Sequence, residues 1–233
     1  MGDLPGQGQT SRAQKGQIDD FNTYHENILE WIKIANEYKI PTFVLGVGLG
    51  GLIILNLLEK TELPIEGILL FSPMLELKKD YKGRKNKLIS NVGKISKDTR
   101  FKVGITPHDL TRNDEIIEET ANDGLMLKKV TYSWYNLINE KMKETMDHIR
   151  DIKPISALIM YGTKDKILET QSINEMKDKL KSKEMYFKVW DGLYHEIHNE
   201  PERDLVMRYV LSFLNNSVNT MGFIVNEEEI EDI

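Results

Sequence analysis

The chain has 233 residues, no cysteine, and 37 acidic against 31 basic residues, for a formal net charge of −6. That length suits one large domain with its own core, and the lack of cysteine excludes disulfides, thiolate metal sites and a cysteine nucleophile. The acidic balance gives no electrostatic reason to expect nucleic acid, and a cysteine-free chain fits a reducing cytoplasm.

Residues 1–15 are rich in Gly, Gln, Ser and Pro and read as a loop, with Asp19 or Asp20 opening a helix. Ile18, Phe21, Ile28, Trp31, Ile32 and Ala35 then recur at helical spacing as far as Pro41. Thr42 to Val47 is dense in β-formers and predicts a strand; Gly48-Leu49-Gly50-Gly51 predicts a tight turn, and an apolar helix follows to Glu59. Gly67 to Phe71 reads as a second strand, closed by Ser72-Pro73. From Met74 to Asp151 the pattern becomes lysine-rich loops and short helical pieces, with a longer helix over Val130 to Met146, and this reads as an insertion. Alternation then resumes: strand Ile155 to Tyr161, helix Thr170 to Leu180, strand Met185 to Trp190, helix Glu202 to Leu214. Such alternation implies a mostly parallel sheet flanked by helices. Asn226 to Ile233 carries four Glu and one Asp and reads as a solvated tail. The longest apolar run, Leu52 to Leu58, is interrupted by Asn56 and falls far short of the roughly 18 residues of a membrane span. The N-terminus has neither the basic nor the apolar region of a signal peptide, so at most peripheral membrane contact is expected.

The glycine turn admits several readings. Gly46-Val47-Gly48-Leu49-Gly50-Gly51 satisfies G-x-G-x-x-G between a strand and a helix, as a dinucleotide site would. The acid such a site needs at the end of the next strand is missing, because that strand ends Leu69-Leu70-Phe71-Ser72. Gly46, Gly48 and Gly50 also occupy the defining places of a nucleophile elbow, G-x-S-x-G, with glycine where the serine stands. A plain βα turn with close packing is the third reading.

Two distant residues bear on the choice. Asp165 follows the strand ending Met160-Tyr161-Gly162, and His195 follows the strand ending Val189-Trp190. Turn, acid and histidine thus stand in the order of a hydrolase triad, each just past a strand's C-terminal end.

On these residues the chain resembles the monoacylglycerol lipase and lysophospholipase-like α/β-hydrolases, also described as serine aminopeptidase S33-like. Asp3-Leu4-Pro5-Gly6-Gln7-Gly8 is similar to the family's Asp-x-Pro-Gly-His-Gly loop, and Asn122-Asp123-Gly124-Leu125 to its cap segment. Gly162-Thr163-Lys164-Asp165 and His195-Glu196-Ile197-His198-Asn199-Glu200 extend the likeness. The resemblance implies an α/β-hydrolase fold with an inserted helical cap: core at 1–73 and 152–216, cap at 74–151, acidic tail at 217–233. It implies Asp165 as triad acid, His195 as base, Leu49 N–H as oxyanion donor, Gly48 at the nucleophile position, an acyl ester or lipid ligand and no cofactor.

The family's elbow reads Gly-His-Ser-x-Gly-Gly, whereas this chain has Val47 for the histidine and Gly48 for the serine. Glycine offers no hydroxyl for the histidine to deprotonate, so serine catalysis is expected to be lost, by roughly 10⁶-fold. The alternatives are a pseudoenzyme that binds an acyl ligand or partner, and a nucleotide-binding βαβ module. The family's strands before the Asp-x-Pro-Gly loop have no counterpart here, which predicts a fragment of a longer product or another segment covering an open sheet edge.

Other constellations carry less. H-E-x-x-H needs histidine where Asn199 stands, so His195, Glu196, His198 and Glu200 are not expected to hold a metal. Ser72, as a substitute nucleophile, competes with a plain role before Pro73. Met74, Met126, Met142 and Met146 could line an acyl pocket or simply pack the cap. Lys78 to Lys87 could touch anionic headgroups or be a solvated face.

Overall fold

The computed structural model describes residues 2–10, 14–79, 81 and 98–220. The acidic segment Asn226 to Ile233 and residues 82–87 of the lysine-rich stretch lie outside the described residues. Asp20 Oδ1 accepts the Asn22 N–H at 2.9 Å and starts helix α1 (Asn22–Asn36), which buries Tyr24, His25, Ile28 and Ile32 along one stripe. Strand β1 (Phe43–Val47), helix α2 (Leu49–Leu58) and strand β2 (Gly67–Phe71) follow, within a residue of the bounds the pattern predicts. After β2 come β3 (Arg100–Lys102), the short α3 (Pro107–Leu110), α4 (Asp114–Asn122), β4 (Lys129–Thr131) and α5 (Tyr132–His148). Val130 belongs to β4, which pairs antiparallel with β3, rather than to the helix expected there. Thr131 Oγ1 accepts the Trp134 N–H at 3.2 Å and fixes the start of α5. Strand β5 (Ser156–Gly162), helix α6 (Gln171–Lys179), strand β6 (Met185–Trp190) and helix α7 (Arg203–Thr220) complete the order.

The four long strands form one parallel sheet in the order β1, β2, β5, β6. Val47 pairs with Phe71, Phe71 with Met160, and Gly162 with Trp190, so the C-terminal ends are level and the loops beyond them converge. Alternate side chains serve opposite faces. Ile68, Leu70, Ala157 and Ile159 pack with α1, α2 and α6, while Leu69, Phe71, Leu158 and Met160 pack with Val206 and Phe213 of α7. Trp134, Tyr135, Ile138 and Met142 of α5 fall in the same apolar cluster as α1 and α2, and Trp134 Nε1 donates to Tyr24 Oη at 2.9 Å.

Among the described residues β1 has a strand on one side only. Along its other side runs a cavity of about 470 Å³ lined by Leu4, Ile28, Trp31, Phe43, Val47 and Ile54, among others. Leu45 in this strand is 50% exposed, and Leu29 and Ile34 of α1 also meet solvent. An apolar edge of this kind invites pairing with another chain. Leu45→Lys, which sets a charge on that edge, is expected to reduce concentration-dependent self-association in sedimentation velocity while leaving the melting temperature nearly unchanged. Undiminished association would place the contact elsewhere.

A polar seam crosses the apolar layer between α1, α2 and α5. Asn56, fully buried on α2, donates through Nδ2 to Thr145 Oγ1 at 3.0 Å and to Glu59 Oε2 at 3.2 Å. Burial, with Glu144 nearby, pushes the Glu59 carboxyl up to about 7, and burial with Lys60 and Lys141 pulls His25 down to about 4. Because the folded pKa of Glu59 exceeds the ordinary value of 4.5, the folded state holds the proton, and stability falls as pH rises from there through 7. His25 acts with the opposite sign, and its cost appears only as pH falls below 6.5 toward 4. Glu59→Gln is therefore expected to stabilise the protein at pH 8 by roughly 1–2 kcal/mol, the shift being discounted for partial exposure. The gain should vanish by pH 5; equal gains in melting temperature at both pH values would rule out titration of Glu59 as the cause.

Candidate active site

The turn after β1 is bent by Gly48, at φ 51° and ψ −113°, a region that L side chains enter only under strain. Its N–H donates to the Phe71 carbonyl at 3.0 Å, and its carbonyl accepts from Gly51 at 3.0 Å and Met74 at 2.9 Å. The turn is thus pinned to the end of β2 on one side and opens α2 on the other. A Cβ built on Gly48 would stand 3.1 Å from His195 Nε2 and 3.6 Å from its Cε1. Leu49 is the first residue of α2, and its N–H, like others in a first helical turn, has no intrahelical acceptor.

Asp165 sits in the loop after β5 and is fully buried. Its Oδ1 accepts the backbone N–H groups of Ile167 at 2.8 Å and Leu168 at 2.9 Å, and its Oδ2 lies 2.8 Å from His195 Nδ1. A carboxylate facing Nδ1 makes that nitrogen the donor and leaves the lone pair on Nε2, directed at the Gly48 turn. Burial and two backbone donors fix the carboxylate's position, and the carboxylate in turn fixes the ring. Such a pair can take a proton from a hydroxyl or water placed against Nε2.

His195 is itself held by neighbours. Ser72 is in the left-handed region at φ 43°, and its hydroxyl donates to the His195 carbonyl at 2.8 Å. That bond, rather than a nucleophile's role, accounts for this buried serine. The Glu196 N–H donates to the Leu110 carbonyl at 2.8 Å, and Thr111 Oγ1 donates to the Asn199 carbonyl at 2.9 Å. Glu200 is fully buried; its Oε1 accepts the Tyr194 N–H at 2.7 Å, and its Oε2 accepts Arg112 Nε at 2.9 Å. Arg112 also reaches Glu202 at 2.5 Å. Lys78 Nζ donates to the Asp165 carbonyl. A carbon added at Gly162 would lie 2.2 Å from the Leu193 carbonyl, so only glycine lets the acid and histidine loops pack this closely.

The structure thus brings Gly48, Leu49, Asp165 and His195 together at the C-terminal end of the sheet. The acidic and histidine side chains of the 195–200 run do not converge on one point, since His195 pairs with Asp165, Glu196 accepts from Asn199 and Glu200 pairs with Arg112. His198 is tucked beside Phe71, and desolvation lowers its pKa. Met142 and Met146 line a separate cavity of about 380 Å³ with Leu75 and Leu77; Gly48, Asp165 and His195 are not among its walls. Ser72, Lys78, Arg112 and Glu200 support the pair from positions where no motif gives them that role.

Residues 1–202 match the sequence profile of the family described as serine aminopeptidase, S33. The chain belongs to the serine aminopeptidase S33 family. Within this family of α/β-hydrolases it is 31% identical over 219 residues to the Bacillus subtilis protein named phospholipase YtpA, covering 94% of this chain and 84% of that one. Two solved structures share the family fold. A monoacylglycerol lipase of Paleococcus ferrophilus superposes with a TM-score of 0.77 at 22% identity, covering 91% of this chain and 81% of that one. A soluble variant of the Saccharomyces cerevisiae monoglyceride lipase gives 0.81 at 19% identity, covering 92% and 76%. At these identities the two structures speak for the fold alone. Among the described residues no helix is long and apolar enough to cross a membrane.

Proposed function

We propose that this protein presents an S33-family carboxylic-ester site for glycerolipid substrates, such as a lysophospholipid or monoacylglycerol, in which the serine step is lost because position 48 is glycine. The observation that supports it most is the distance of 3.1 Å from a Gly48 Cβ to His195 Nε2, on a ring whose Nδ1 meets Asp165 at 2.8 Å. In this reading His195 is the base, Asp165 its orienting acid and Leu49 N–H an oxyanion donor. Residues 74–151 form the cap, and the bonds from Thr111 and Arg112 to the histidine loop favour that placement. The lipid class rests on the likeness to YtpA, a protein named as a phospholipase. A cytoplasmic setting is favoured by the cysteine-free composition, with membrane contact at most peripheral and the β1 edge open to a further strand.

A fluorophosphonate probe tests this reading. The folded Gly48→Ser variant is expected to be labelled at residue 48, the Gly48→Ser/His195→Ala double variant only weakly, and the unmodified chain not at all. A Gly48→Ser protein that melts cooperatively yet resists the probe would overturn the ester-site reading.

A further inference from the structure

The Asp165–His195 pair is complete although the nucleophile is absent. Among the described residues Nε2 of His195 has no hydrogen-bond partner, while Nδ1 is committed to Asp165 at 2.8 Å. Leaving aside the glycine's chain neighbours, only two atoms of the described residues come within 4 Å of the point a Gly48 Cβ would occupy, and both belong to the His195 ring. The glycine therefore leaves no side chain between its own Cα and the basic nitrogen. A water that serves as nucleophile would stand off from the Gly48 Cα, within hydrogen-bond reach of Nε2. The adjacent Leu49 N–H, at the positive end of the ten-residue α2, has no acceptor of its own in the helix. Base and anion donor thus flank the Gly48 turn, where a small nucleophile needs no covalent step.

We infer that the unmodified chain hydrolyses acyl thioesters and aryl esters without an acyl-enzyme, by attack of water that His195 deprotonates; the inference rests on the ester-site reading above. His195 Nε2 takes a proton from water as the oxygen bonds to the acyl carbon, and the carbonyl electron pair moves onto its oxygen, facing Leu49 N–H. The carbonyl then reforms, the carbon–sulfur or carbon–oxygen bond to the leaving group breaks, and the thiolate or phenolate takes the proton back from Nε2. The products are a carboxylic acid and a thiol or phenol, and His195 returns to its starting state.

The substrate class follows from what is missing. A general base contributes roughly 10²–10⁴-fold and one oxyanion donor roughly 10²–10³-fold. Without a serine nucleophile, that is too little for an alkyl ester whose alkoxide leaves reluctantly. It suffices where the leaving group departs as a stable thiolate or phenolate.

The test is hydrolysis of p-nitrophenyl butyrate and a butyryl thioester by the unmodified chain, His195→Ala, Asp165→Asn, Gly48→Ala and Gly48→Ser, with each variant's folding checked by thermal melting. The unmodified chain is expected to exceed His195→Ala by about 10²-fold, with no burst of p-nitrophenol and a normal solvent deuterium isotope effect. Gly48→Ala, whose methyl intrudes on the water's place, should lose roughly tenfold. Should it fail to fold, Asp165→Asn still reads the pair, with an expected loss comparable to that of His195→Ala. An unmodified chain no faster than His195→Ala, or one showing a stoichiometric burst, overturns the direct attack by water. If Gly48→Ser is nevertheless active, the ester-site reading survives that failure; if folded Gly48→Ser is inert too, both fall together.

Discussion

Gly48→Ser is expected to raise kcat on p-nitrophenyl butyrate about 10³-fold above the unmodified chain. Loss of a triad serine costs roughly 10⁶ in turnover. Restoring it here should return less than that, because the new side chain presses on the His195 ring, and a base displaced from its reacting position loses part of its effect. Gly48 holds φ 51° and ψ −113°, and among the described residues the new Cβ would meet the His195 ring, at 3.1 Å from Nε2. That contact is tight, so the ring must yield by a few tenths of an ångström, and serine in this region bears strain of about 2 kcal/mol. The melting temperature should accordingly fall by roughly 4–8 °C while activity rises. Stability and activity moving in opposite directions is the signature of an elbow rather than of a plain turn, which would lose stability and gain nothing. The added turnover should show burst kinetics and should disappear in the Gly48→Ser/His195→Ala double variant.

The parts of this site that were legible in the sequence are those set by local chemistry. Thr42 to Val47 and Gly67 to Phe71 announce strands because β-branched and apolar residues crowd between breakers, and the glycine run announces the turn. Asp165 and His195 were readable because each stands just past such a strand, and sheet pairing levels those ends; Phe71 beside Met160 and Gly162 beside Trp190 make them neighbours. The supports were not legible, because each is a long-range contact with no local signature. Ser72 lies 123 residues from His195 in the chain, and Arg112 lies 88 from Glu200. A serine before a proline and an arginine in a polar loop look like solvated residues until the sheet brings their partners near. The β3 and β4 ribbon escaped for a related reason. Three-residue strands are too short to show a period, so Val130 reads equally well as the first apolar residue of the helix that Thr131 caps.

Arg112→Ala is expected to lower the melting temperature by roughly 6–12 °C, from a loss of about 3 kcal/mol. Glu200 is fully buried, and Arg112 faces its Oε2 at 2.9 Å; removing the cation leaves a buried carboxylate without its counter-charge. The low end of the range for a broken buried pair is appropriate because the Arg112 side chain is itself 34% exposed. The consequence reaches beyond stability, because the other oxygen of Glu200 accepts the N–H of Tyr194, the residue before His195. If the pair acts as a support for the histidine, Arg112→Ala placed in the Gly48→Ser background should lower kcat at temperatures well below the melting transition, with little change in KM. Arg112→Lys, which keeps the charge but not the planar fork, should recover most of the stability and only part of the turnover. A double-mutant cycle with Glu200→Gln separates the two roles. The combined loss in both melting temperature and kcat should be clearly less than the sum of the single losses. Additive losses would mean that Arg112 and Glu200 act independently and that Arg112 does not steady the histidine loop through this pair.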